Sequence, residues 1–136
     1  MTSASSTRLV YVDTSAFTKL VAQEQESAAL RRHLRGAPLR TSAMLLQTEA
    51  LRVAARLSPA HLAAARQQLR GIAFIQMDRQ LYGFAGTLTP PELRSLDALH
   101  IAAALMLGQD LAEFVTYDDR MVNAAKGHGL PVVSPS

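Results

Sequence analysis

Two apolar runs in this chain end alike, and that ending constrains the fold more than any other feature. Leu9-Val10-Tyr11-Val12 runs into Asp13, and Phe114-Val115-Thr116-Tyr117 runs into Asp118. The first run is short, rich in β-branched residues and free of polar groups after Arg8. That pattern suits a strand buried on both faces, as in a parallel sheet covered by helices. Each acid is then followed by a helical segment, and aspartate is a favoured helix N-cap. Strand, acid, helix is therefore written twice, once near each end of the chain.

The remaining segments fit the same grammar. The pattern predicts helices over 15–22 and 24–35, the latter stopped by Gly36 with Pro38 beyond. Residues 39–42 read as a weak strand, 43–57 as a long helix, and Ser58-Pro59 as the start of a helix over 59–69. Residues 73–77 read as a strand, with Asp78 capping a helix to Ala85. A loop follows through Pro90-Pro91, within a stretch from Gly83 to Glu92 that stands out. Ser95 is expected to cap a helix over 96–107 closed by Gly108. Strands over 113–117 and 130–134 flank a helix from Asp118 to Lys126. This alternation implies an α/β fold, a five-stranded parallel sheet flanked by helices in three αβα layers. The 136 residues, 49% hydrophobic, suit a single domain over 8–134 after a short disordered lead-in at 1–7.

Several function classes drop out. Aromatic residues are 5% with no Trp, which argues against a surface of base-stacking platforms. The absence of Cys excludes disulfides and thiolate metal sites. The N-terminal stretch lacks the basic start and apolar core of a signal peptide, and the longest apolar run, 101–107, is too short to span a bilayer. A cytoplasmic protein with no membrane contact is expected. The net charge of +3 is carried almost wholly by arginine, the only lysines being Lys19 and Lys126. That balance permits contact with phosphate backbones.

Four carboxylates carry the candidate chemistry: Asp13, Glu49, Asp97 and Asp118. Asp13 and Asp118 follow strands, where open parallel sheets place their ligand crevice; plain capping is the alternative for each. Glu49 interrupts an apolar helical stripe of Leu45, Leu46 and Val53, with Arg52 as a local ion-pair alternative. Asp97 lies in the first turn of its helix, where the helix dipole alone would favour it. If the four converge, two charges about 5 Å apart repel by roughly 3 kcal/mol at an effective dielectric near 20. Divalent cations relieve such repulsion, and oxygen-only ligands favour magnesium or manganese. Thr14, Ser15 and Thr116 stand beside the acids, suited to orienting a carboxylate or simply to capping. Asp118 is preferred over Asp119 because it follows the strand directly. Asp78 reads as a cap, His100 as a packed hydrogen-bonded residue rather than a ligand, and His33, His61 and His128 as surface residues. The pairs Arg52/Arg56 and Arg66/Arg70 read as solvated helix faces, with phosphate binding as the alternative.

Taken in order, Val10-Tyr11-Val12-Asp13-Thr14-Ser15-Ala16, Glu49, Leu96-Asp97-Ala98-Leu99-His100-Ile101-Ala102, Phe114-Val115-Thr116-Tyr117-Asp118 and Gly129-Leu130-Pro131-Val132-Val133 resemble the PIN-domain nucleases. Within them the chain is similar to the small VapC-type toxins of type II toxin–antitoxin pairs. The resemblance covers nearly the whole chain. It implies that Asp13, Glu49, Asp97 and Asp118 match the family's acidic quartet, which acts both as metal ligands and as catalytic groups. It implies magnesium- or manganese-dependent endonucleolytic cleavage of RNA, often tRNA or rRNA. It also implies a cognate VapB-type antitoxin, a homodimer, and contact with DNA only through that antitoxin.

Two rival readings remain. Another metal-dependent α/β phosphohydrolase is one, but the haloacid-dehalogenase pattern needs a second acid where Ser15 stands, and no Gly-rich phosphate loop ending in Lys occurs. A catalytically weak PIN-fold module that binds RNA is the other, and the intact quartet argues against it.

Overall fold

The computed structural model describes residues 8–37 and 39–136. The predicted lead-in at 1–7 and the Pro38 stop lie outside the described residues. Strands β1 (Leu9–Val12), β2 (Leu39–Ala43), β3 (Ile72–Ile75), β4 (Leu111–Val115) and β5 (Val132–Val133) form one parallel sheet in the order β3-β2-β1-β4-β5. The helices are α1 (Thr14–Val21), α2 (Ser27–Leu34), α3 (Leu46–Leu57), α4 (Pro59–Leu69), α5 (Arg79–Ala85), α6 (Ser95–Leu105) and α7 (Asp119–Gly127). A 3-10 turn, Gly108–Asp110, enters β4 with Gly108 at a φ of 53°.

Period-two alternation sorts β1 between two layers. Val10 and Val12 pack with Phe17, Leu20, Leu30, Leu46 and Leu69 on the side of α1–α4. Tyr11 faces the opposite layer, with Leu81, Ile101, Phe114, Met121 and Leu130. Its ring stacks on Phe114 at 5.0 Å between centroids. Each such apolar side chain contributes about 1.5–3 kcal/mol on full burial, so the sandwich rests on both faces of one central strand.

The departures from the sequence expectation have local causes. The weak strand expected over 39–42 is extended by Ala43 and lies inside the sheet, between β1 and β3. Its polar residues Thr41 and Ser42 are buried. Thr41 Oγ1 donates to the Ala73 carbonyl at 2.5 Å, which satisfies the hydroxyl inside the sheet. Because Ala43 pairs with Ile75, α3 begins at Leu46 rather than 43. α2 starts at Ser27 rather than 24, after the Ser27 hydroxyl accepts from the Glu24 N–H across the preceding turn. Ser95 does not cap α6: Arg94 is the N-cap residue, without a side-chain cap bond, and Ser95 is already helical. α6 also stops at Leu105, short of 107. β3, β4 and β5 cover 72–75, 111–115 and 132–133, so the last is shorter than its apolar run. The stretch 83–92 is partly the end of α5, and only the remainder is loop.

From β1 the chain steps outward to β2 and β3, then crosses back to β4 on the other side of β1. This reversal makes a switch point at the carboxyl ends of β1 and β4, where sheets of this kind collect ligands. The Asp13 N–H donates to the Val115 carbonyl at 3.2 Å and holds the two strand ends together there. No helix among the described residues is long and apolar enough to cross a membrane.

Candidate active site

A cavity of about 360 Å³ opens at the switch point, and Asp13, Glu49, Asp97 and Asp118 all line it. Four elements deliver them. Asp13 stands at the junction of β1 and α1, Glu49 in the first turn of α3, Asp97 in the first turn of α6, and Asp118 ahead of α7. Asp119, one residue on, is exposed and absent from the lining.

Asp13 is 2% exposed. Its Oδ1 accepts from the Ser15 hydroxyl at 2.7 Å and from the Ala16 N–H at 3.0 Å, while Oδ2 accepts from Thr116 Oγ1 at 2.5 Å. Capping and lining the cavity are therefore the same act of one side chain. Thr116 Oγ1 also accepts from the Asp118 N–H at 3.2 Å, and Ser15 Oγ accepts from the Tyr117 N–H at 2.9 Å. Two hydroxyls thus tie the acid ends of β1 and β4 together. Thr14 and Ser15 line the cavity, while Thr116 stands behind Asp13, fully buried.

Asp118 caps α7 through Oδ1, which accepts from the N–H groups of Arg120 at 2.9 Å and Met121 at 3.3 Å. Among the described residues, no hydrogen bond reaches its Oδ2 or either oxygen of Asp97. Glu49 does not form the local ion pair with Arg52 that its spacing allowed; it pairs with His100 instead. Its Oε1 accepts from Thr14 Oγ1 at 2.6 Å and stands 2.9 Å from His100 Nε2. His100 is buried, with Nδ1 2.6 Å from the Tyr11 hydroxyl, so it packs and hydrogen-bonds as the sequence suggested.

The pocket is electrostatically uneasy. Burial pushes the Asp13 carboxyl above the ordinary range, opposed by the electrostatic pull of His100 and by the hydrogen bonds from Thr116, Ser15 and Ala16. Asp97 is also raised, first by burial and then by the neighbouring charge of Asp118, against the pull of His100, Arg94 and Arg120. A carboxyl raised in the folded state binds more protons there than in the unfolded chain, so its contribution to stability falls as pH rises. That contribution is fully present below about pH 3.9, the ordinary aspartate value, and is lost as pH climbs through the folded pKa. In EDTA, Asp97→Asn is therefore expected to match the parent near pH 4 and to exceed it in stability at pH 7. Urea unfolding across that range checks this, and a variant uniformly less stable at every pH would contradict it.

Other expected features are sorted by the same geometry. Asp78 caps α5 through the Leu81 N–H at 2.9 Å and stays clear of the cavity. His33, His61 and His128 are half-buried rather than fully on the surface, and each has a partner: Glu113 at 2.6 Å, Ser58 at 2.7 Å and the Thr89 carbonyl at 2.7 Å. Arg52 borders a hollow that shares Glu49 and Leu96 with the acidic cavity. Arg66 and Arg70 face a separate depression beside Gln47 and Leu51. Sequence reasoning missed Arg94, an exposed cation in the lining, and Tyr11, whose hydroxyl was hidden in an apolar run. A buried tyrosine usually finds a polar partner, and that was the available signal.

The donor chemistry fits a small hard cation. Three lone-pair directions of Asp13 are used, whereas Asp97 and one oxygen each of Glu49 and Asp118 accept nothing from the described residues. No group of three or more His, Asp or Glu among the described residues stands as a ready cage around one point. Magnesium does not require one, since it keeps several waters and takes one or two carboxylates directly.

Comparison with known proteins agrees with the fold. The PIN domain family model matches residues 10–127. Ribonuclease VapC46 of Mycobacterium tuberculosis is 42% identical over 127 residues, covering 93% of this chain and 98% of that one. Ribonuclease VapC47 of the same species is 38% identical over 133 residues, covering 93% and 97%. Among solved structures, M. tuberculosis VapC20, a sarcin-ricin-loop-cleaving toxin, superposes with a TM-score of 0.70 at 18% identity, covering 93% of this chain and 99% of its own. VapBC2 of Rickettsia felis, bound to a DNA fragment from its promoter, gives 0.72 at 10% identity, covering 94% and 99%.

Proposed function

The chain belongs to the PIN-domain family and is homologous to mycobacterial VapC ribonucleases, and we propose that it is a VapC-type endoribonuclease toxin that hydrolyses RNA with magnesium or manganese. The observation that carries this reading is the convergence of Asp13, Glu49, Asp97 and Asp118, from four elements, on one cavity. Capping accounts for Asp13 and Asp118, but Glu49 and Asp97 cap no helix and are still brought to the same cavity.

Asp13, Asp97 and Asp118 would hold the ion, directly or through water, and Glu49 would complete the cage or orient the attacking water. The bound ion supplies a lowered water pKa and neutralises charge building on the phosphate. Thr14 fixes Glu49, and Ser15 and Thr116 fix Asp13, so their hydroxyls set carboxylate orientation. Arg94, in the lining, and Arg120, close enough to act on Asp97, put positive charge at the rim of the pocket. There they suit the phosphates flanking a scissile bond. No side-chain nucleophile is required.

The likeness to VapC ribonucleases supports RNA as the substrate, read here as a structured tRNA or rRNA, and the likeness to VapBC2 supports a VapB-type antitoxin as the neutralising partner. DNA would then be met only through that antitoxin. A homodimer and a cytoplasmic location complete the reading. The test is an RNA cleavage assay with Mn²⁺ and with EDTA. Cleavage is expected with Mn²⁺ and is expected to vanish with EDTA. Cleavage that persists in EDTA would end the metal-dependent reading, and RNA binding without cleavage in either condition would favour the weakly catalytic module.

A further inference from the structure

Glu49 is held by a chain of hydrogen bonds that begins in the sheet. The Ala43 N–H on β2 donates to the Tyr11 hydroxyl on β1 at 3.1 Å. The Tyr11 hydroxyl stands 2.6 Å from His100 Nδ1 on α6. His100 Nε2 stands 2.9 Å from Glu49 Oε1 on α3. Four elements are linked through three side chains. Tyr11 is fully buried and His100 is 2% exposed.

The direction of this chain follows from its first member. A backbone N–H donates and cannot accept, so Tyr11 Oη is the acceptor of that bond. The single phenol proton must then go elsewhere. Burial holds the phenol protonated by pushing its pKa far up. Ser42 lies beside it and lowers the phenol's pKa, as a hydroxyl aimed at Oη to donate rather than to accept would, and no hydrogen-bond geometry places the phenol proton on Ser42 Oγ. His100 Nδ1 remains as acceptor. With its lone pair at Nδ1, the ring carries a proton at Nε2 and donates it to Glu49. Thr14 Oγ1 also donates to Glu49 Oε1, at 2.6 Å, which fills both lone pairs of that oxygen. Oε2 is left with no donor among the described residues.

We propose that Tyr11 and His100 are positioning residues: the backbone N–H of Ala43 fixes the imidazole tautomer through Tyr11, and the imidazole pins Glu49 by Oε1 so that Oε2 stays available to the pocket. The function assigned to that free oxygen rests on the metal-nuclease reading above; the tautomer does not. An apolar residue would fill the same core volume with no buried polar atoms to satisfy, so packing alone does not account for a histidine here. The start of α3 also needs an external hold, since its N-cap residue, Leu45, offers no side-chain bond. Outer partners of this kind orient a ligand that would otherwise sample several rotamers, and their loss typically weakens metal affinity about 10–100-fold.

Two measurements test it. The first reads the His100 ring in the metal-free parent protein by long-range ¹⁵N–¹H spectra. A fixed Nε2–H tautomer is expected, with the tautomers mixing in Tyr11→Phe. A ring protonated at Nδ1, or a Tyr11→Phe ring as fixed as the parent's, overturns the relay. The second is Mn²⁺ titration calorimetry on the parent, His100→Leu and His100→Gln, each first checked for native near-UV circular dichroism. His100→Leu is expected to lose about 10–100-fold in Mn²⁺ affinity. His100→Gln, whose amide nitrogen replaces Nε2, is expected to recover most of it. In cleavage, the His100→Leu deficit is expected to shrink as Mn²⁺ approaches saturation. Parent-like affinity in His100→Leu overturns the positioning role. A parent protein that takes up no Mn²⁺ sinks the metal reading of the pocket instead, and the ring spectra then decide the tautomer lock by themselves.

Discussion

Asp97→Asn is expected to reduce RNA cleavage at least about 100-fold, a loss of roughly 2.7 kcal/mol in transition-state stabilisation, while the fold survives. Asp97 is the acid with the fewest structural duties. It accepts no hydrogen bond from the described residues and caps no helix by itself, so an amide can replace it without orphaning a buried donor. Its carboxylate is raised by burial and by Asp118, which means the folded protein tolerates its charge at a cost. The substitution removes that cost together with one oxygen ligand of a cation. Activity and apo stability should therefore move in opposite directions, a signature that simple unfolding cannot mimic. Asp13→Asn is expected to abolish cleavage too, but its carboxylate holds Ser15, Ala16 and Thr116, so its effect on stability is mixed. Cleavage by Asp97→Asn at the parent rate would remove the acid quartet from the chemistry.

Mn²⁺ at 100 times its dissociation constant is expected to stabilise the parent by about 2.7 kcal/mol, because the ion binds the folded cavity and not the unfolded chain. For a domain of this size that corresponds to a rise in Tm of roughly 5–15 °C. The physical source is relief of repulsion among acids that folding forces together. The rise should reverse on adding EDTA and should be largely lost in the double variant Asp97→Asn/Asp118→Asn. Differential scanning calorimetry with and without Mn²⁺ measures it directly. An unchanged Tm would mean that the acids line the cavity without sharing a cation.

Much of this architecture was legible from local pattern. The run ending at Asp13 announced a strand followed directly by a helix, because burial on both faces demands unbroken apolar residues and an aspartate cap satisfies the first helical N–H groups. The run ending at Asp118 announced the same order, but β4 stops at Val115, so Asp118 caps α7 without following the strand directly. The Ser58-Pro59 start of α4 and its end at Leu69 were equally local. β2 was harder to see. Its polar residues weaken the strand pattern, and only the carbonyl of Ala73 on the neighbouring strand makes Thr41 acceptable in the interior. The start of α6 misled because serine is a good cap, yet the chain enters that helix one residue earlier, at Arg94.

Residue identity and spacing by themselves determined the order of elements, the layered sheet, and four acids in places where a core does not call for them. Those are properties of the nearest dozen residues, where side-chain periodicity and caps act. The tertiary structure alone decided that Glu49 looks away from Arg52 and toward Thr14 and His100, and that Tyr11 is a polar group as much as a core one. The contacts concerned join residues 35, 51 and 89 positions apart. No local preference encodes such pairings, because they exist only after the parallel crossovers have brought β1, α3 and α6 to one end of the sheet.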